Sequence, residues 1–330
     1  MKTPFYISTL LFALGCGAGA GEAPATNSGG TSAGGSAGTT AGGSGATVGS
    51  GGAAGASGAA GTGGADGGDA SNDAGTADVE AHVPDAFAEN MPFTGKYAGV
   101  EGLSGEALVL SLCELVTQGY KSTSYTAARQ VVFQQTDNHG GQVLGVYDGF
   151  WHDPTHSEVN IEHTWPQSKG ASVLPAKSDL HHLFPVQANF NSARSNLAFG
   201  EVILRDWPST LQGDPSCTDA MPGNADGCYS FKGKDAFGIE VFEPRDGQKG
   251  DAARAVFYFS IRYGTGCKVK PLSIFDPDHP ATSEAVLKKW NLHDPPSDHE
   301  RQRNELIETV EGVRNPFIDH AELVELISFQ

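Results

Sequence analysis

Glu162 and His163 stand side by side in the run Asn160-Ile161-Glu162-His163-Thr164-Trp165-Pro166. An imidazole can take a proton from water near neutral pH, and carboxylate oxygens suit a hard divalent cation. Two more polar runs follow before Gly200. One is Ser178-Asp179-Leu180-His181-His182-Leu183-Phe184-Pro185, the other Asn191-Ser192-Ala193-Arg194-Ser195-Asn196. Read as a helix over 187–196, the last run puts Asn191, Arg194 and Ser195 at i, i+3 and i+4, on one face. That face offers an amide oxygen to a metal and a guanidinium to a phosphate. Hydrolysis of a phosphodiester needs water deprotonated, the developing charge neutralised and the leaving oxygen stabilised. Residue types for all three tasks are therefore gathered in one stretch.

These side chains need particular elements to bring them together. Successive residues of a strand face opposite sides, so Glu162 and His163 serve one site only where a strand ends. Pro166, three residues on, makes such an end. The Ser178–Pro185 run supplies the second strand of a small hairpin, and the 187–196 helix packs across it.

The three runs, together with Lys249-Gly250-Asp251-Ala252-Ala253-Arg254-Ala255 and Arg314-Asn315-Pro316-Phe317-Ile318-Asp319-His320, resemble the endonuclease I family of bacterial periplasmic and secreted nucleases. The resemblance covers nearly all of residues 97–330. It implies an α+β, mainly helical domain with a small ββα-metal (His-Me) finger at its core. It makes His163 the general base and Glu162 and Asn191 the ligands of Mg²⁺, with Ca²⁺ or Mn²⁺ as alternatives. Arg194 is expected in the catalytic set, either on the substrate phosphate or paired with Asp179. Asp179, His181 and His182 are expected to support the ligands or His163 from behind. The implied reaction is a one-metal cut of DNA, with RNA as an alternative, leaving 5′-phosphate and 3′-hydroxyl ends with little sequence preference. Two features depart from the family: a long low-complexity segment near the N-terminus, and the loop between Cys217 and Cys228.

Residues 1–16 read as a signal peptide, Lys2 followed by an apolar run through Leu14 that is too short for a permanent membrane span. The run closes on Ala13-Leu14-Gly15-Cys16, which looks like a lipoprotein cleavage site with Cys16 as the lipidated residue; an ordinary cut near Ala18-Gly19-Ala20 competes with it. Residues 17–95 are nearly all Gly, Ala, Ser and Thr over most of their length, too poor in apolar surface to offset ordering entropy. They read as a disordered tether; roughly 60 flexible residues span about 40 Å. Residues 96–330 form the nuclease-like domain, long enough for a sizeable core and expected to act as a monomer. The protein is thus expected to be exported, and either lipid-anchored to a bacterial membrane facing periplasm or exterior, or secreted.

The net charge is −18. Eight acids between residues 17 and 95, offset by Lys2, account for −7, which leaves −11 on the rest. That argues against a bulk electrostatic grip on nucleic acid. Substrate contact must come from a bound cation and from local basic residues, for which Lys169, Lys177, Arg205 and Lys232 are candidates. Beyond Cys16, four cysteines remain, and export would oxidise them. Cys217 and Cys228 bracket a polar, Gly-rich loop and pair most naturally; Cys113 with Cys267 follows by elimination. Four free buried thiols is the alternative.

Elsewhere, helices are expected over 104–119 with Ser104 as cap, over 124–135, from Gly250-Asp251 with Asp251 as cap, over 298–310 from the Ser297-Asp298-His299-Glu300 capping spacing, and after Asp319. A short strand is expected at Val143–Tyr147, and a loop-rich region over 205–235. His181-His182 lacks the partners of a zinc site. Trp165 is expected in the core, with a place beside the substrate as the alternative. Two other functions fit the same residues: a non-catalytic, metal-containing cell-surface binding protein, and a phosphodiesterase acting on small diesters.

Overall fold

The computed structural model describes residues 92–207, 218, 227–264 and 284–329. The signal reading, Cys16, Cys217, Cys267 and the tether reading up to residue 91 lie outside them; the last residues assigned to the tether are described, and Phe93 stacks on His320 at 4.3 Å, so the folded part begins before residue 96. The first helix, α1 (Gly105–Thr117), buries Leu108, Leu112 and Val116, four residues apart, with Leu115 only partly covered. Ser104 precedes it as expected, but its side chain makes no capping bond. Ser124 does cap α2 (Tyr125–Val131), accepting from the Ala127 N–H at 3.2 Å. The expected 124–135 helix widens at its end into a π turn, Val132–Thr136.

A three-stranded antiparallel sheet follows: β1 (Asn138–His139), β2 (Gln142–Leu144) and β3 (Trp151–His152). Gly140 and Gly141 join the first two, at φ 61° and 93°. A two-residue hairpin turn of this twist needs positive φ at both positions, which side chains resist. The expected strand at 143–147 is shorter than the sequence suggested.

The element that positions the chemistry is β4 (Val159–His163) paired antiparallel with β5 (Leu183–Gln187). Five facing pairs set the register, among them Glu162 with Phe184 and His163 with Leu183. The second strand therefore starts later than Ser178; residues 178–182 form 3-10 turns leading into it. The helix α3 (Ala188–Arg194) leaves β5 directly, and Gln187 caps it by accepting from the Asn189 and Phe190 N–H groups.

Residues 205–235 were expected to be loop. Their described parts instead supply two strands of a four-stranded sheet. It orders β6 (Ala198–Phe199), β9 (Glu240–Glu243), β8 (Phe231–Lys234) and β7 (Leu204–Trp207), with only β6 and β9 parallel. Strands of two to four residues carry too short an alternation for the period-2 signal to register.

The main core is organised around α4 (Lys249–Tyr263). The sequence suggested one apolar stripe through Val256, Phe259 and Tyr263; the helix is instead buried along nearly every face. Ala252, Ala253 and Ala255 let neighbours approach closely. Asp251 is not its cap but sits in the first turn, 2.9 Å from Arg254. Around α4 pack α1, α5 (Glu284–His293) and α7 (Pro316–Asp319). Trp165 is fully buried and stacks on Phe259 at 4.6 Å, so it is a core residue. A second apolar cluster joins α2, the π turn and the inner faces of β4 and β5 to Ile307 of α6 (Asp298–Glu311).

Ser297 caps α6 through the Glu300 N–H at 3.1 Å, as its spacing predicted. The Glu300 carboxylate, however, turns to Arg254 in a two-pronged buried pair at 2.7 and 2.6 Å. Asp319 does not start a helix. It ends α7, which Asn315 caps, and its carboxylate takes Arg314 and the Tyr97 hydroxyl.

Candidate active site

His163 ends β4, 7% exposed, beside a cavity of about 340 Å³. Glu162, Asn191, Gln167 and Ser195 line the same cavity. Both neighbours of the dipeptide serve one site because the strand stops there, as Pro166 suggested. The imidazole Nε2 lies 3.1 Å from the Lys177 carbonyl. A carbonyl can only accept, so Nε2 carries the proton and Nδ1 keeps its lone pair. Nδ1 has one neighbour, the Gln167 amide nitrogen at 3.5 Å. Burial, reinforced by the nearby His182, pushes the His163 pKa down to about 3. The ring is neutral across the ordinary pH range, in the state a proton acceptor requires.

Glu162 is 1% exposed. Its Oε1 accepts from the Tyr147 hydroxyl at 2.8 Å and lies 3.2 Å from Arg194 Nε. Burial raises its pKa, and Arg194 and Tyr147 oppose that shift. Asn191 donates its amide to Asn160 Oδ1 at 2.7 Å and to the Ile161 carbonyl at 3.1 Å. Those two acceptors fix the amide orientation, so its oxygen is the atom offered to the cavity. A carboxylate oxygen and an amide oxygen beside one cavity form a hard, oxygen-only donor pair. Among the described residues, no group of three or more His, Cys, Asp and Glu could hold a metal. The pair fits an ion that keeps most of its water, as Mg²⁺ does, better than a closed zinc site.

Arg194 does not take the place expected of it. It is 1% exposed and reaches neither the cavity nor Asp179. One guanidinium nitrogen donates to the Thr164 carbonyl at 2.6 Å, another to the Ser195 carbonyl at 3.1 Å, and its plane covers Phe199 at 4.7 Å. Its Nε faces Glu162 without hydrogen-bond geometry. Arg194 is thus buried, with its Nε as a counter-charge beside Glu162.

The Asp179–His182 run divides. His182 backs the site: its ring lies edge-on to His163 at 5.4 Å, and its Nε2 donates to the Ala176 carbonyl at 2.7 Å. Asp179 and His181 do not reach the site. Asp179 takes the Tyr258 and Tyr263 hydroxyls and Arg262, all from α4. His181 Nε2 donates to the Val313 carbonyl at 3.2 Å. They clamp the turn before β5 to α4 and to the end of α6.

The basic rim is also divided. Lys177 sits over the Tyr125 ring at 5.3 Å, on the segment that holds His163. Arg205 covers Phe231, and Lys232 pairs with Glu240 at 2.8 Å, both on the four-stranded sheet. Cys113 and Cys228 are each disulfide-bonded.

Four participants were not picked out as site residues from sequence: Tyr147, Asn160, Gln167 and the Lys177 backbone. Gln167 follows Pro166 directly and its position was a usable signal. Tyr147 had none, being read only as part of a strand.

A neutral imidazole, a carboxyl group and a fixed amide oxygen thus line one cavity, an arrangement that metal-assisted hydrolysis can use. The comparisons agree. The profile of the Endonuclease I family matches residues 111–322. The chain is 31% identical over 248 residues to the extracellular ribonuclease of Bacillus subtilis (strain 168), covering 70% of this chain and 77% of that one. It is 30% identical, over the same shares, to the extracellular ribonuclease of Bacillus amyloliquefaciens. It is 27% identical over 143 residues to the extracellular deoxyribonuclease of Aeromonas hydrophila, covering 43% of this chain and 50% of that one. The chain belongs to the endonuclease I family. It is an enzyme, a nuclease that hydrolyses phosphodiester bonds.

Proposed function

We propose that this protein is an exported endonuclease that uses Mg²⁺ to cut DNA or RNA with little sequence preference, and that His163 Nδ1 is its general base. The observation that carries the reading is the fixed tautomer: Nε2–H on the Lys177 carbonyl leaves Nδ1 to the cavity that Glu162 and Asn191 share. Nδ1 takes a proton from water, which attacks phosphorus as the P–O3′ bond breaks. The products carry a 5′-phosphate and a 3′-hydroxyl. Glu162 and Asn191 would hold the cation, which supplies charge neutralisation at the phosphoryl group and the departing oxygen. Arg194 and Tyr147 keep the Glu162 carboxylate oriented. No sequence motif suggests base readout, in keeping with backbone contact.

The ββα arrangement of β4, β5 and α3 supports reading the core as a ββα-metal (His-Me) finger. The relatives, two extracellular ribonucleases and one extracellular deoxyribonuclease, support both substrates and an extracytoplasmic location. We place the catalytic domain at residues 92–330, behind a signal peptide over 1–16 and a tether over 17–91, with lipidation at Cys16. The disulfides are proposed as Cys217–Cys228 and Cys113–Cys267, which peptide mapping of the unreduced protein reads directly.

The test is cleavage of supercoiled plasmid and of single-stranded RNA by the oxidised protein with Mg²⁺ and with EDTA. Cation-dependent cleavage of either polymer, leaving 5′-phosphate ends, is expected. Hydrolysis of small diesters alone, or cleavage that persists in EDTA, would overturn the reading.

A further inference from the structure

The helix α3 ends on a strained residue. Ser195, next after Arg194, has φ 53° and ψ −125°, and among the described residues it is the one non-glycine with positive φ. A β-carbon is disfavoured in that region, which glycine enters freely. Backbone bonds hold the residue there: its N–H donates to the Asn191 carbonyl at 2.9 Å, and its carbonyl accepts from Arg194 Nη1 at 3.1 Å. Glycine could make both bonds without strain. They account for the conformation, and not for the serine.

The side chain stands where a substrate can reach it. Ser195 is exposed and lines the catalytic cavity with Glu162, His163 and Asn191. No Lys or Arg is among the described residues lining that cavity. A phosphodiester carries its negative charge on two non-bridging oxygens, and one that does not face a cation needs a protein donor. The other polar side chains there are committed. Asn191 donates to Asn160 and to the Ile161 carbonyl, and Gln167 Nε2 faces the His163 lone pair at 3.5 Å. Asn196 donates to Ser168 Oγ at 3.4 Å. The Ser195 hydroxyl makes no hydrogen bond among the described residues.

We infer that the Ser195 hydroxyl is a phosphate contact of the substrate, donating to a non-bridging oxygen of the phosphodiester in the catalytic cavity, and that the positive-φ backbone places it there. The inference rests on the nuclease reading above. Strain held by the surrounding bonds at a ligand-facing residue is a way of fixing a group before the ligand arrives. A neutral donor also suits a chain with few bases near its site, since it holds a phosphate without a counter-charge.

The test compares two variants of the full-length, oxidised protein. Ser195→Ala removes the hydroxyl and keeps the β-carbon; Ser195→Gly removes both. Binding of a short single-stranded RNA is measured in EDTA, which stops cation-dependent cleavage, and kcat and KM are measured with Mg²⁺. Losing one hydrogen bond to a charged oxygen is expected to raise Kd and KM about tenfold in both variants, with kcat changed far less. In urea unfolding Ser195→Gly is expected to be the more stable of the two, since only it relieves the strain. A serine with a purely structural role would instead make activity follow stability, with Ser195→Gly the better enzyme. No RNA binding by the parent, parent-like Kd and KM in Ser195→Ala, or equal stability of the two variants overturns the inference. If both variants weaken RNA binding but the parent cuts no polymer, the nuclease reading fails and the phosphate contact stands.

Discussion

The protonation of His163 is decided by one backbone oxygen, that of Lys177. The same economy holds for the two oxygens beside it: Tyr147 holds Glu162, and Asn160 turns Asn191. Partners of this kind typically set metal affinity within a factor of about 10–100. Tyr147→Phe and Asn160→Ala are therefore expected to raise the Mg²⁺ concentration for half-maximal cleavage by that factor, with the rate at saturating Mg²⁺ changed far less. A titration of initial rate against Mg²⁺ measures it, and superimposable curves would remove both residues from the site. The sequence singled out Glu162, His163 and Asn191 because their types and spacing suit one chemistry, and the structure brings all three to one cavity. The burial of Arg194 was not legible, because a guanidinium's place on a helix face says nothing about what covers it.

At the scale of elements, the turn before β5 is held by a polar clamp. Burial pushes His181 and His182 down to about 4, and neither Nδ1 finds a partner. A histidine whose folded pKa is lowered gives stability that is complete above its unfolded value near 6.5 and is lost as pH falls towards 4. Each such group contributes a slope of up to about 1.4 kcal/mol per pH unit. Glu300, raised to about 8 by burial, pulls the other way over part of this window. The histidine contribution is therefore read as a difference. His181→Asn should lose less stability than the parent between pH 6.5 and about 4.5 in urea unfolding, and parallel curves would contradict the assignment. Pro166, the capping spacing after Ser297 and the i, i+4 apolar rows made the hairpin and most helices legible. The four-stranded sheet was hidden by the shortness of its strands. The full burial of α4 was hidden by its charged residues, which the fold satisfies internally: Arg254 with Glu300, Lys249 with Asp246 and Arg262 with Asp179.

For the molecule as a whole, the −11 carried by residues 96–330 limits how it can hold a polyanion. Of the four rim candidates, only Lys169 and Lys177 lie on the segment bordering the site, and Arg205 and Lys232 are engaged on the sheet. With about two phosphates neutralised, the logarithm of affinity should fall against the logarithm of salt with a slope of about −2. Binding of a phosphorothioate oligonucleotide across a salt series measures this. A slope three times steeper would mean that a basic surface elsewhere dominates. Composition made this constraint visible without any structure, whereas the positive φ at Ser195 left no trace in the sequence.

The most direct test of the account is single-turnover plasmid cleavage by the parent protein and His163→Ala at saturating Mg²⁺, with Mg²⁺ binding followed separately. Removing one general base typically slows the reaction by about 10²–10⁴. The account predicts that loss with Mg²⁺ affinity kept, since Glu162 and Asn191 remain. Cleavage by His163→Ala within a few-fold of the parent would show that another group accepts the proton, and would contradict it.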